Sequence, residues 1–499
     1  MHPFIGEIQT AHTPDSLAES LRGETGVVLL RTSSFDSPSA RYSFVTADPF
    51  LTFRSFGSRC EITQPETPIS KPETFRSQFG NPWHLLDSLM SRCELIEEVD
   101  LPFPLGGCFG YWGYDLRNFV EPKLSRRAAN DLELPDCHVG FYDSLVAFDH
   151  QLGKTWIVST GLAADGSRSE KRAGEGMDFW QNKLLHPVDQ PDAADRHRTR
   201  KHVPPLPGER AGVRAEVSSN VSRSDFLAAV ARAQDYIRAG DIYQVNLSHR
   251  LTAPCELSGW DLFQQLGSVS PAPFSAFFDC GDLRIASSSP EQFLRLSGSQ
   301  IVTRPIKGTR PRHVDPTRDA QLAYELQTSP KELAELVMIT DLLRNDLGKV
   351  CEYGSVQTPD LARLEKFAHV QHLVSTVEGR LRGDVTHFAA LASCFPGGSI
   401  TGAPKIRAME IIDELEPLSR GPYCGCHGYL GFNRESHLSI TIRTAVCKEG
   451  LAHFNVGAGI VADSNPDAEY DETLAKAAGF LSALELKLPI SLFPQPASR

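Results

Sequence analysis

The sequence predicts an α+β fold in which antiparallel sheets are covered by helices, and three stretches carry that expectation. From Ser222 onward, Phe226, Leu227, Val230, Ala233, Tyr236 and Ile237 recur at the spacing of one helix face. Ser222 or Ser224 can cap its start, and Gly240 suits the left-handed position that ends it. Ile242 to Leu247 follows as a strand. Leu438 to Ala445 alternates with period two, and after Lys448-Glu449-Gly450 the chain returns through His453 to Val456. Hairpins of this kind build antiparallel sheets with helices outside, not a doubly wound parallel sheet.

With 499 residues the chain exceeds a single small core. Short strand-like runs such as Gly26 to Leu30 and Tyr42 to Val45 fill an N-terminal region, 1–185. A stretch rich in Pro, Asp, Arg and Lys, 186–220, reads as a polar linker or surface excursion. A second region, 221–489, carries the chemistry. The formal charge of −12 excludes recruitment of nucleic acid or an anionic membrane by bulk electrostatics. An anionic substrate would therefore need a local basic or metal-loaded pocket. No apolar run approaches the roughly 20 residues of a membrane span, residues 1–13 do not read as a signal peptide, and eleven scattered cysteines fit reduced thiols. A cytoplasmic protein is expected.

Two cysteine motifs are weighed and set aside. Cys424-Gly425-Cys426-His427 is half a zinc site, with no second Cys/His pair at ligand spacing. Gly106-Gly107-Cys108-Phe109-Gly110 has the spacing of a nucleophile elbow, but Tyr111, Trp112 and Tyr114 follow it, which favours a structural segment under aromatic packing.

Three constellations remain. Pro330 and Pro466 each stand at a helix start, followed by Glu332 and Glu335, and by Glu469 and Glu472, three apart on one face. Four carboxylates without sulfur suit magnesium; equally, acids near helix N-termini complement the macrodipole. Gly397 to Lys405 leads into a helix at Ile406, and Gly457-Ala458-Gly459 closes a strand; both turns can present N–H groups to an anion, or serve only as turns. Lys307, in Pro305-Ile306-Lys307-Gly308-Thr309-Arg310-Pro311, is bracketed by prolines. Partial desolvation would free its amine as a nucleophile; a solvated lysine in a basic turn is the alternative.

Taken together, these stretches resemble the chorismate-utilising enzymes: anthranilate synthase component I, aminodeoxychorismate synthase component I, and the isochorismate and salicylate synthases. The resemblance runs from about Val221 to Leu488, through Asp341 to Asp346, His372 to Gly379, Gly398 to Pro417 and Gly457 to Lys476, and more loosely through Arg41 to Phe44 and Gly106 to Asp115. It implies one large α/β/β/α sandwich with two antiparallel sheets and a central active-site cleft, the two regions interwoven. It further implies that Glu335, Glu469 and Glu472, with Glu332 beside them, hold Mg2+, and that the ion binds a chorismate carboxylate. Arg443 would reach a substrate carboxylate, Gly457, Ala458 and Gly459 would donate N–H groups, Tyr423, Gly308 and Thr309 would wall the pocket, and His372 would lie near the ring hydroxyl.

Two positions divide the family. The water-adding members resemble this chain but carry a lysine base where it has Gln244. Anthranilate synthases usually have alanine where it has Lys307, whereas aminodeoxychorismate synthases have this lysine. The resemblance thus implies para-amination of chorismate in para-aminobenzoate and folate biosynthesis, with Lys307 as nucleophile and Glu291 as its acid. Ammonia would come from a separate glutamine amidotransferase subunit, and release of para-aminobenzoate would fall to another protein. Anthranilate synthase component I is the alternative, and a non-catalytic regulatory subunit is disfavoured by the intact acids and lysine. Leu29 to Ser33 matches a tryptophan-pocket segment of relatives poorly, so feedback inhibition is not predicted.

Overall fold

The computed structural model describes residues 2–32, 41–65, 74–95, 101–186, 217–367 and 370–487. Of the polar stretch 186–220, residues 187–216 lie outside these, as do Ser33 and the last two residues of the region 221–489.

Two twelve-stranded sheets form the body, and every ladder within them is antiparallel. Each sheet is shared between the two halves of the sequence. In the first, Val28–Arg31 pairs with Phe274–Asp279, placing Leu29 opposite Phe277. In the second, Gly107–Trp112 pairs with Cys426–Gly431, placing Gly110 opposite Gly428. A Cβ on Gly110 would lie 2.2 Å from His138 O, at a φ of +153°. The glycine-rich run is therefore a central strand under close backbone approach, and its Cys108 is fully buried. It is no elbow.

The sheets face each other through ring contacts. Phe44 meets Tyr429 at 5.2 Å, Phe274 meets His437 at 5.2 Å and Phe278 meets His427 at 5.9 Å. Helices Pro14–Ser20, Glu170–Leu185, Arg223–Arg238, Gly259–Val269 and Pro466–Ala483 pack on the first sheet, and Pro316–Gln327 and Pro330–Gly348 on the second. The result is an α/β/β/α sandwich. Amphipathic spacing explains the packing: Gly259–Val269 buries Trp260, Phe263 and Leu266, with Trp260 and Phe263 against Phe277. Each such side chain contributes roughly 2–3 kcal/mol of burial. Among the described residues no helix is long and apolar enough to cross a membrane.

Ser222 caps Arg223–Arg238, and Gly240 has a φ of +83°. The following strand begins later than its apolar run and extends further, over Gln244–Pro254. The alternating run at 438–445 is not one strand. Glu435–Ile440 lies in the second sheet and Thr444–Lys448 in the first. Between them Ile442 N donates to Ile440 O at 3.0 Å, and Arg443 has a φ of +49°. Alternation in the sequence persists because both strands bury a face; the left-handed residue that separates them leaves no periodic mark. The hairpin beyond is as expected, with Lys448 opposite Leu451. Gly457, Ala458 and Gly459 fall, with Ile460, at the close of Leu451–Ile460, as expected.

Candidate active site

Capping puts the acids in place. Ser329 accepts from Glu332 N at 3.4 Å and Asn465 from Ala468 N at 3.0 Å, so Glu332 and Glu469 fall in the first turns of Pro330–Gly348 and Pro466–Ala483. Glu335 and Glu472 follow three residues on. Lysine and hydroxyl partners already engage them. Ser464 Oγ donates to Glu469 Oε1 at 2.6 Å, and Lys476 Nζ lies 2.8 Å from Glu472 Oε1. Arg310 lies 3.4 Å from Glu332.

Lys307 sits on strand Ile306–Pro311, which pairs with Val370–Arg380. The register shifts between Lys307 and Thr309, where Gly308 takes a φ of +65°. A Cβ on Gly308 would lie 2.6 Å from Leu326 Cδ1 and 3.0 Å from Glu332 Oε2. Lys307 Nζ lies 2.8 Å from Glu335 Oε1, and Gln244 Nε2 donates to the same oxygen at 2.8 Å. Gln244 is fully buried, and among the described residues its Oε1 has no hydrogen-bond partner. Burial works to raise the Glu335 carboxyl, but the charge and hydrogen bond of Lys307, with Gln244, outweigh it and hold it below its ordinary value.

Glu291 responds the other way. Burial pushes its carboxyl up, only partly offset by a hydrogen bond to the Ser399 side chain and the charge of Lys307. An acid and an amine thus share one site, with the acid biased toward its protonated form. His372 Nδ1 lies 2.9 Å from Thr309 Oγ1 and 3.4 Å from Gly308 O. Burial lowers its pKa, the bond to Gly308 O opposes this, and the charge of Arg443 adds to the lowering. Burial also lowers the pKa of Arg443.

The glycines of Leu451–Ile460 face the same region. A Cβ on Gly457 would lie 2.9 Å from Tyr423 Oη, and one on Gly459 2.5 Å from Gln244 Nε2. Ala458 stands opposite Leu247 and is buried. Lys476 Nζ donates to Gly457 O at 2.7 Å. Arg443, Glu472, Lys476, Ser288, Ser270 and Leu266 line a cavity of about 290 Å³.

The structure therefore brings Lys307, Glu291, Glu335, Gln244, Gly308, Thr309 and His372 into one neighbourhood, and Glu472, Arg443 and Gly457 into another around Lys476, with Tyr423 against Gly457. The charge of Lys331 acts on both sets of acids, working to lower Glu335 and Glu469 alike. Burial, opposed by Ser464, and the like charge of Glu472 leave Glu469 raised. Among the described residues no three His, Cys, Asp or Glu side chains converge closely enough to hold a metal. The donor set nonetheless fits a hard cation in kind: four carboxylates on two helix starts, one of them raised beside a like charge. Three residues received no role from the sequence: Ser399 and Lys476, which stand inside motifs singled out there, and Lys331. The lysines sit one before Glu332 and four after Glu472, a spacing that could have marked them. Cys424 and Cys426 are buried, with burial pushing both thiols up.

The model of a family described as chorismate binding enzymes matches residues 35–482. The chain belongs to that family. Two names recur among its relatives. Anthranilate synthase component 1 of Thermus thermophilus is 44% identical over 387 residues, covering 78% of this chain and 79% of that one. Aminodeoxychorismate synthase component 1 of Escherichia coli is 38% identical over 461 residues, covering 92% and 93%. Among solved structures, anthranilate synthase component I from Streptococcus pneumoniae TIGR4 superposes with a TM-score of 0.72 at 29% identity, covering 89% of this chain and 93% of that one.

Proposed function

We propose that this family member is an aminodeoxychorismate synthase component I, converting chorismate and ammonia to 4-amino-4-deoxychorismate. The observation that carries the reading is Lys307, a lysine in contact with Glu335 and within the field of the protonation-prone Glu291. In the proposed reaction the neutral Lys307 amine bonds to ring carbon 2, both conjugated ring double bonds shift by one position, and the bond from carbon 4 to its hydroxyl breaks. Glu291 gives that hydroxyl its proton, and it leaves as water. Ammonia then bonds to carbon 4, both double bonds shift back, and the lysine amine departs from carbon 2. The Oε1 of Gln244, without a partner among the described residues, offers an acceptor for an N–H of ammonia. Arg443 would fix a substrate carboxylate, and His372 would lie beside the ring hydroxyl.

Glu332, Glu335, Glu469 and Glu472 would hold magnesium, which when bound offsets their charge and draws a carboxylate of the dianionic substrate. A separate glutamine amidotransferase subunit would supply ammonia. Anthranilate synthase component I is the second reading, favoured by the 44% identity to the Thermus protein of that name. Chromatography of the product from chorismate, ammonium and magnesium separates them. 4-Amino-4-deoxychorismate is expected, and fluorescent anthranilate would overturn the proposal.

A further inference from the structure

Two of the eleven free cysteines touch each other, away from the residues assigned to the reaction. Cys255 lies just past Gln244–Pro254, where its N–H donates to Gly450 O at 2.9 Å. Cys447 lies on Thr444–Lys448, opposite Ala452, which stands opposite Ala253 on its other side. Beyond Pro254 the chain crosses the end of this hairpin: a Cβ on Gly259 would lie 3.7 Å from Cys447 Cβ. The crossing brings the side chains of Cys255 and Cys447 into hydrogen-bond contact. Cys255 Sγ also reaches Leu257 O at 3.4 Å. Cys447 is the one cysteine of the eleven that is not buried. The pair therefore combines a partly exposed cysteine with a second thiol already in hydrogen-bond contact with it.

We propose that Cys255 and Cys447 form a redox pair that closes to a reversible disulfide when the protein meets a hydroperoxide. In that step both S–H bonds break and one S–S bond forms. The two electrons and two protons pass to the peroxide, whose O–O bond breaks; hydrogen peroxide itself becomes two waters. The bond would tie the chain just before helix Gly259–Val269 to the strand that starts beside Arg443. Leu266 of that helix, Ser270 just after it and Arg443 line one cavity, so the disulfide would fix one wall of the cavity against another. The inference rests on the placement of the two thiols and is independent of which amination the enzyme performs.

The test uses the full-length folded protein, treated with hydrogen peroxide, blocked with N-ethylmaleimide and digested without reductant. A peptide pair joined through Cys255 and Cys447, two hydrogens lighter than its parts and released by dithiothreitol, is expected. The thermal midpoint of the oxidised protein should rise by several degrees, because a long loop is closed in the unfolded chain. Neither effect should occur in Cys447→Ser, nor in Cys255→Ser should the first variant fail to fold. Oxidation of Cys447 to sulfinic acid, or maleimide labelling of both thiols after peroxide with no joined peptide, would overturn the proposal.

Discussion

The Lys307–Glu335 contact sets a condition on the proposed chemistry. Lys307 Nζ lies 2.8 Å from Glu335 Oε1, and an ammonium has no lone pair with which to attack carbon. The amine becomes a nucleophile only when its proton is lost, so the charge must be removable. Lys307→Arg should therefore fail as completely as Lys307→Ala, because a guanidinium stays protonated. Both should lower ammonia-dependent para-amination about 1000-fold or more, measured by product chromatography at saturating chorismate; near-wild-type rates in Lys307→Ala would end the covalent role. The partner acid gives a pH dependence with a defined sign. Burial raises the Glu291 carboxyl, so it stays protonated at pH values where a solvated glutamate is ionised. The rate should hold until pH climbs through that raised value and then fall, and Glu291→Gln should lack that limb in its residual pH profile. Lys307 and Glu291 were legible through motif context. Ser399, which bonds Glu291, was not, because a serine in a glycine-rich turn carries no spacing signal.

Helix starts were the most readable elements, since Ser222, Pro330 and Pro466 are local signals of local geometry. The sheet crossing at Arg443 was not readable, because a left-handed residue inside an alternating run depends on strands far away in sequence. Lys405 is a second case. In sequence it is only the polar entry to a helix, yet its Nζ lies 2.5 Å from Asp346 Oδ2 and also donates to Cys394 O and Pro396 O. Both side chains are buried, and the pair ties Lys405–Leu415 to Pro330–Gly348, the helix that carries Glu332 and Glu335. Removing one partner strands a buried charge, for which only the half-exposed Lys349, 3.1 Å away, remains. Lys405→Met should cost about 3–5 kcal/mol, read as a lower urea midpoint at unchanged slope. A shift under about 1 kcal/mol would mean that Lys349 compensates.

At the scale of the whole molecule, resemblance supplied the two-sheet sandwich, while composition alone indicated only an ordinary globular chain. Neither reveals how many histidines the sandwich holds neutral. Burial lowers His138 to a pKa of about 4 and His437 to about 3. His249, His387, His427 and His453 are all buried, and burial lowers each of them to a pKa of about 4 as well. Hydroxyl or carbonyl oxygens meet their rings: Thr473 and Ser219 on His249, Ser436 and Gly298 on His387, Thr441 on His427, Thr252 on His453. In the unfolded chain the same imidazoles take up protons near pH 6.5, whereas the folded chain resists until pH approaches 4. The stability that these histidines contribute is therefore constant above about pH 7 and lost as pH falls through that window, since the unfolded state binds more protons there. Each ring removes about 3 kcal/mol by the end of it, so four together approach the whole margin of about 5–15 kcal/mol. Acid unfolding followed by tryptophan fluorescence should have its midpoint between about pH 6 and 4. His427→Gln, which cannot take the proton, should move that midpoint to lower pH once its stability at pH 7.5 is matched to wild type with urea. An acid midpoint unmoved by that substitution would remove His427 from the set that sets the limit.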